Sequence, residues 1–134
     1  RLGQARLPAG NLSSLMCKSS AALLIILLLA PSTVCAHAYL VKSVPAQRAV
    51  LFRAPAKIQL WFNERLEPRY SSFTVSDAEG KPVDIGKAEV SGDDPKQLSA
   101  SVKTLPAGRY LIKYRVLSVD GHVVQDRFPF TVKQ

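Results

Sequence analysis

The chain has 134 residues, of which 47% are hydrophobic and 21% charged, and 18 Lys and Arg against 10 Asp and Glu give it a formal net charge of +8. This length fits one domain and excludes a large multidomain enzyme, and the composition excludes a disordered or collagen-like chain. The charge is unevenly distributed, because the first acidic residue is Glu64 and the most apolar run lies at 21–30. The sequence therefore predicts two parts of different kinds.

The first predicted part is a secretory signal peptide at residues 1–36. Lys18 precedes the ten-residue apolar run AALLIILLLA, and the small-residue stretch PSTVCA follows it, which is the order typical of such a signal. A helix that spans a bilayer needs about 20 apolar residues, so a retained membrane anchor is disfavoured. We predict cleavage between Ala36 and His37.

Two details of this first part leave alternatives open. Residues 1–15 precede Met16, the only Met, and are either an upstream extension or a misplaced start. A lipoprotein signal at Cys35 is disfavoured, because Val34 rather than a small residue comes before it. Since Cys17 and Cys35 are the only two Cys, the domain that follows is predicted to have no disulfide.

The second predicted part, residues 37–134, carries only a moderate positive charge. Removing residues 1–36 removes Arg1, Arg6 and Lys18 but no acidic residue, so part of the positive charge belongs to targeting. The remaining Lys and Arg are scattered singly and form no block of the kind that marks nucleic-acid binding. We therefore expect no nucleic-acid partner.

Residues 37–134 are predicted to form one antiparallel, all-β domain of about seven strands. Apolar and polar residues alternate in KIQLWF, QLSASV, RYLIKYRVLS and RFPFTVK, with the two-residue period of half-buried strands. Pro45, Pro55 and the stretches DAEGKP, SGDDP and LPAGR separate these segments as turn signals. The spacing predicts a sandwich or a barrel, a fold that by itself specifies no function.

The two His residues of the chain lie at positions suited to a metal site. Cleavage before His37 gives this residue a free α-amine beside its imidazole Nδ1, and the two nitrogens close a six-membered chelate ring on one ion. Asp120 and His122 stand two positions apart, so in an extended segment both side chains project from one face. Gly121 between them leaves space and permits unusual backbone angles. Together these groups would offer a metal ion three nitrogen ligands and one oxygen ligand.

This donor set favours Cu(II), which prefers tetragonal nitrogen and oxygen ligation and stands highest in the divalent affinity order. Residues 37–134 contain no Met and no Cys, so the soft donors that hold Cu(I) are missing. Tetrahedral zinc suits the same residues less well, because structural zinc sites favour thiolates. The alternative without a metal has an exposed His37 and a D-G-H turn in which Asp120 bonds to backbone N–H groups.

Three stretches, HAYLVKSVPA, IQLWFNERLEP and LPAGRYLIKYRVLSVDGHVVQDRFPFTV, resemble the CopC family of periplasmic copper-binding proteins. The resemblance implies a seven-stranded Greek-key barrel or sandwich, cupredoxin-like or Ig-like, that binds one Cu(II) through a histidine brace. It places the family's N-terminal His on His37, its carboxylate ligand on Asp120 and its second His ligand on His122. A supporting Glu in the family's F-[SN]-E motif falls on Glu64, as a hydrogen-bond partner for the amine or an imidazole.

The resemblance also implies a role. Some members carry a Met-rich Cu(I) site, and the absence of Met after residue 36 implies the class that binds Cu(II) only. The implied protein is a monomeric, non-enzymatic copper carrier or buffer of the periplasm, in copper homeostasis or resistance. Its implied partners are the copper ion and a CopD-type inner-membrane protein on a separate chain, since no membrane span follows signal cleavage.

Two other functions remain alternatives at this point. One is a copper-dependent oxygenase with the same brace, which is disfavoured because Asp120 fills the position that oxygen chemistry needs open. The other is a metal-free Ig-like interaction module, which keeps the fold and discards the site.

Overall fold

The computed structural model describes residues 3–4 and 37–133. The predicted signal peptide, apart from residues 3–4, and its cleavage site therefore lie outside the described residues and stay predictions. The compact unit that contains the described domain spans Ala36–Gln134. Among the described residues, no helix is long and apolar enough to cross a membrane.

Within residues 37–133, eight strands form two four-stranded sheets. The strands are β1 (Leu40–Val44), β2 (Val50–Leu51), β3 (Lys57–Phe62), β4 (Ser72–Ser76), β5 (Asp84–Val90), β6 (Gln97–Val102), β7 (Gly108–Leu117) and β8 (Val123–Val132), with a 3₁₀ turn at Pro68–Tyr70. Sheet 1 has the order β1-β3-β6-β5 and sheet 2 the order β2-β8-β7-β4. Among these eight described strands, every pair is antiparallel except β2 with β8. The all-β prediction is confirmed, as an open sandwich whose described strands do not close into a barrel.

The core lies between the two sheets, where the alternating segments of the sequence place their apolar sides. In β3, Ile58, Leu60 and Phe62 are buried while the residues between them are not, and β7 from Tyr110 and β8 from Phe128 behave in the same way. The β7–β8 hairpin pairs Tyr110 with Phe130 in register, and these two rings stack 5.3 Å apart. Burying each large apolar side chain contributes about 1.5–3 kcal/mol. The predicted inward faces of these strands are confirmed.

Three segments meet at the end of the sandwich where β3 finishes. Residues 63–67 leave β3 and run beside the end of β7, where Glu67 N–H donates to the Leu117 carbonyl at 2.8 Å and Val119 N–H to the Arg65 carbonyl at 2.9 Å. The chain before β1, residues 37–39, lies against the same end of β3. The β7–β8 connection, residues 118–122, completes the group. These three segments carry every residue that the sequence nominates as a metal ligand.

Candidate metal centre

The β7–β8 connection is a tight turn closed by main-chain hydrogen bonds. Gly121 N–H donates to the Ser118 carbonyl and Ser118 N–H to the His122 carbonyl, both at 2.9 Å. Gly121 has a φ of +88°. A three-residue hairpin loop of this kind needs a residue with positive φ at its last position, and Gly takes it without steric cost. The D-G-H sequence therefore folds as a turn because of its glycine.

This turn corrects the reason for which Asp120 and His122 were expected to converge. The sequence argument placed them on one face of an extended segment, whereas Asp120 lies within the turn and β8 begins only at Val123. Their ligand atoms nevertheless come within 4.8 Å of one another. The turn, and not the strand period, brings the carboxylate and the imidazole together.

Ser118 frees the Asp120 carboxylate from a structural role. The Ser118 Oγ accepts a hydrogen bond from His122 N–H at 3.2 Å, and Ser118 is only 1% exposed. In the other loop of this shape, residues 77–81, a carboxylate does the same work, because Asp77 Oδ1 accepts from Lys81 N–H at 2.9 Å. Within the described residues Asp120 caps no backbone group, so the expectation for a metal-free turn is not met.

Glu64 joins Asp120 and His122 from the segment after β3. One ligand atom of each of these three residues lies within 4.8 Å of the other two. The Glu64 side chain is half-buried, and its Oε2 is inaccessible to solvent and has no hydrogen-bond partner among the described residues. A buried carboxylate oxygen without a partner is unfavourable, and such oxygens are normally satisfied by a donor or a cation. The site therefore contains a carboxylate oxygen that a hydrogen-bond donor or a cation would stabilise.

His37 lies beside this cluster. Its ring faces that of His122 edge-on, with centroids 6.0 Å apart and an interplanar angle of 65°. It is exposed, and it is not among the three residues whose ligand atoms approach one another within 4.8 Å. In the full chain the main-chain nitrogen of His37 forms the peptide bond to Ala36, so it is an amide and not the free amine that a chelate requires.

Sequence reasoning missed two residues that build the site, Ser118 and Asn63. The Asn63 side chain accepts from Tyr39 N–H at 2.6 Å and donates to the His37 carbonyl at 3.2 Å. No sequence signal pairs residues so far apart. Ser118 had a signal, because serine favours local bonds to the backbone of turns.

The four predicted side chains thus meet at one end of the fold. Two carboxylates and two imidazoles are oxygen and nitrogen donors of the kind that Cu(II), Ni(II) and Zn(II) accept. Together, the fold and the side-chain cluster define a small β-sandwich with a candidate divalent-metal site at one end.

The family is established by comparison with known proteins. Residues 40–133 match the CopC domain, and the chain belongs to the CopC family. The match contains Glu64, Asp120 and His122 and begins after His37. The family resemblance noted in the sequence is thereby confirmed.

Named relatives extend this result. The copper transport protein CutJ of Bacillus subtilis is 35% identical over 111 residues, which are 82% of this chain and 20% of CutJ, so the chain spans only one fifth of that relative. Protein YobA of Escherichia coli is 34% identical over 79% of this chain and 86% of its own. Copper resistance protein C of Escherichia coli is 37% identical over 73% of this chain and 82% of its own.

Two solved structures share the fold. The crystal structure of CopC from Methylosinus trichosporium OB3b superposes with a TM-score of 0.67 at 36% identity, over 72% of this chain and 94% of that one. The copper resistance protein PcoC of Escherichia coli gives a TM-score of 0.60 at 34% identity, over 71% of this chain and 99% of that one.

Proposed function

We propose that residues 37–134 form an exported domain that binds one Cu(II) ion and carries or sequesters copper in the periplasm. His37, Asp120 and His122 are the proposed ligands, after cleavage has given His37 a free amine. Relatives named for copper resistance and copper transport support a copper-related role. The donor set supports Cu(II), since residues 37–134 contain no thiol and no thioether.

The observation that carries this proposal is the convergence of Glu64, Asp120 and His122. Two carboxylates whose oxygens lie within 4.8 Å repel each other, and a divalent cation bound at Asp120 and His122 would offset this repulsion. The site lies at one end of the sandwich on turns and strand ends, where ligands are reached from solvent without opening the core. An ion held there is available for transfer.

Glu64 supports the ligands in this proposal. Metal-bound imidazoles and amines keep an N–H that needs an acceptor, and such acceptors fix the orientation of the ligand. The Glu64 Oε2, buried without a partner among the described residues, supplies an acceptor at this position. Its burial also disfavours a free charge there unless a cation or a donor is near.

A carrier fits these ligands better than an oxygenase does. Oxygen chemistry needs an open position on the metal, and the Asp120 carboxylate occupies the fourth place beside the three nitrogens. The domain is proposed to act as a monomer without enzymatic activity and to exchange copper with a CopD-type inner-membrane protein.

The test is copper titration of the secreted protein after its mass has fixed the N-terminus. Protein that begins at His37 is expected to bind one Cu(II). A form with one extra residue before His37 turns the amine into an amide and should bind at least about 100-fold more weakly, the upper limit of the 10–100-fold typical of a supporting residue. Equal copper affinities of the two forms, or a secreted protein that does not begin at His37, would refute the proposed histidine brace.

The turn at 77–81 provides a matched control for Asp120. Glu79 is exposed and holds the same third position in that loop as Asp120 holds in its own. Asp120→Asn should weaken copper binding and change the Cu(II) absorption and electron paramagnetic resonance spectra. Glu79→Gln removes one negative charge from the same turn shape and should change neither. Equal effects of both substitutions would show that only net charge matters.

A further inference from the structure

We infer that Asn63 is a positioning residue that holds the segment 37–39 against the end of β3, so that His37 reaches the other ligands. The inference rests on the proposed copper function. It assigns to the Asn of the WFNE stretch a role separate from that of Glu64, its neighbour.

Three hydrogen bonds join Asn63 to this segment. The side-chain Oδ1 accepts from Tyr39 N–H at 2.6 Å, and the side-chain Nδ2 donates to the His37 carbonyl at 3.2 Å. The main-chain N–H of Asn63 donates to the Tyr39 carbonyl at 3.1 Å. The side-chain amide therefore bridges the two residues that flank Ala38, and the main chain adds a third bond.

The segment depends on these bonds because it lies before the first strand. β1 starts at Leu40, which pairs with Phe62, so the ladder of sheet 1 ends one residue short of Tyr39. Within the described part of the chain, Asn63 is the residue that forms hydrogen bonds with the main chain of residues 37–39. Ala38 is 4% exposed and adds a small apolar contact. A terminal segment tied down so little elsewhere is ordered mainly by its hydrogen bonds.

Asn63 itself is well fixed. It follows Phe62, which is 2% exposed and packs edge-on against the Tyr114 ring at 5.5 Å. An amide has donors on its nitrogen and an acceptor on its oxygen, so it meets a carbonyl and an N–H together. Asn63 thereby transmits the rigidity of β3 to a terminus that bears a proposed ligand.

A ligand that is already in place binds more tightly, because the cost of ordering it is not incurred on binding. Removal of residues that orient metal ligands lowers affinity by about 10–100-fold. Asn63→Ala should therefore weaken Cu(II) binding about tenfold and broaden or shift the Cu(II) paramagnetic resonance spectrum. Asn63→Ser keeps a shorter group that donates and accepts, and should recover part of the loss. Gln59→Ala, an amide deletion in β3, is the control and should change nothing.

Coupling to His37 separates positioning from a general effect on the domain. In protein that begins at residue 37, Asn63→Ala should weaken binding more when His37 is present than in the His37→Ala background, where only the α-amine of residue 37 is left to be positioned. An equal loss in both backgrounds, or no loss in either, overturns the inference while the proposed function stands. No loss from His37→Ala overturns the proposed function and the inference with it.

Hydrogen exchange tests the tether without copper. The Tyr39 amide, which donates to Asn63 Oδ1, should exchange at least about tenfold faster in Asn63→Ala than in the parent chain, since a lost hydrogen bond permits local opening. Amides in the middle of β7 should keep their rates in both proteins. An unchanged Tyr39 rate overturns the inference whatever the copper titrations give.

Discussion

Replacing Gly121 by Ala tests how the turn holds two proposed ligands. Gly121 has a φ of +88°, and a Cβ built on it meets no atom within 4 Å. Steric clash therefore contributes nothing, and the expected cost is that of a left-handed backbone at a residue with a side chain, about 1–2 kcal/mol. For a domain of this size each kcal/mol lowers the melting temperature by about 4–8 °C.

Gly80 is a matched control within the same molecule. Its φ is +84°, its Cβ would also meet no atom within 4 Å, and it closes the loop 77–81 with the same hydrogen bonds. Gly80→Ala should destabilise the domain as much as Gly121→Ala does. Only Gly121→Ala should also weaken copper binding, by about tenfold, because a turn that relaxes to negative φ moves the Asp120 carboxylate away from His122.

Both quantities have direct assays. Urea unfolding followed by circular dichroism gives the stability of the metal-free proteins, and quenching of Trp61, the only Trp, by Cu(II) in competition with a chelator gives affinity. Unchanged stability in Gly121→Ala would refute the argument from φ. Equal losses of copper affinity in the Gly80 and Gly121 variants would refute the argument that the turn positions the ligands.

Two further substitutions probe the supports of the site and the core. Ser118→Ala removes the acceptor of the partly buried His122 N–H and should cost about 0.5–1.5 kcal/mol in urea unfolding, the net contribution of a typical hydrogen bond, and also weaken copper binding. Burial and then the charge of Asp77 raise the pKa of Tyr110 above 10, so folding favours its protonated form. The contribution of Tyr110 to the free energy of unfolding should therefore be constant below pH 10 and should decrease as the pH rises above 10. Tyr110→Phe should make this fall less steep in unfolding titrations from pH 8 to 11, leaving the share that the raised pKa of Tyr114 causes; an equally steep fall would contradict the assignment.

The long strands were predictable because one rule governs them. The faces of β3, β7 and the second half of β8 follow from alternation of apolar and polar residues, and one face of each is buried, so the period of two is visible in the sequence. β2 has only two residues, too few for any period. β5 contains Gly86 with a φ of +70° and shifts register against β6, which interrupts the alternation.

The sequence indicated which residues form the candidate site better than it indicated how the fold brings them together. His37, Asp120 and His122 were nominated by residue type, and Glu64 by resemblance, and the structure places all four at one end of the domain. The turn around Gly121 replaced the extended segment as the cause of convergence. Asn63 was missed because its partners lie 24 and 26 residues away, a separation that only the folded sheet brings within bonding distance.

Two turns of one shape, 77–81 and 118–122, have a consequence for how such a site arises. Each is closed by the same main-chain bonds and a glycine, and each has an acidic third residue, yet only one lies beside an imidazole and a second carboxylate. The turn conformation thus owes nothing to a metal. Because the backbone of such a turn does not depend on the side chain at its third position, substitutions there change the donors offered to a metal while the fold stays the same.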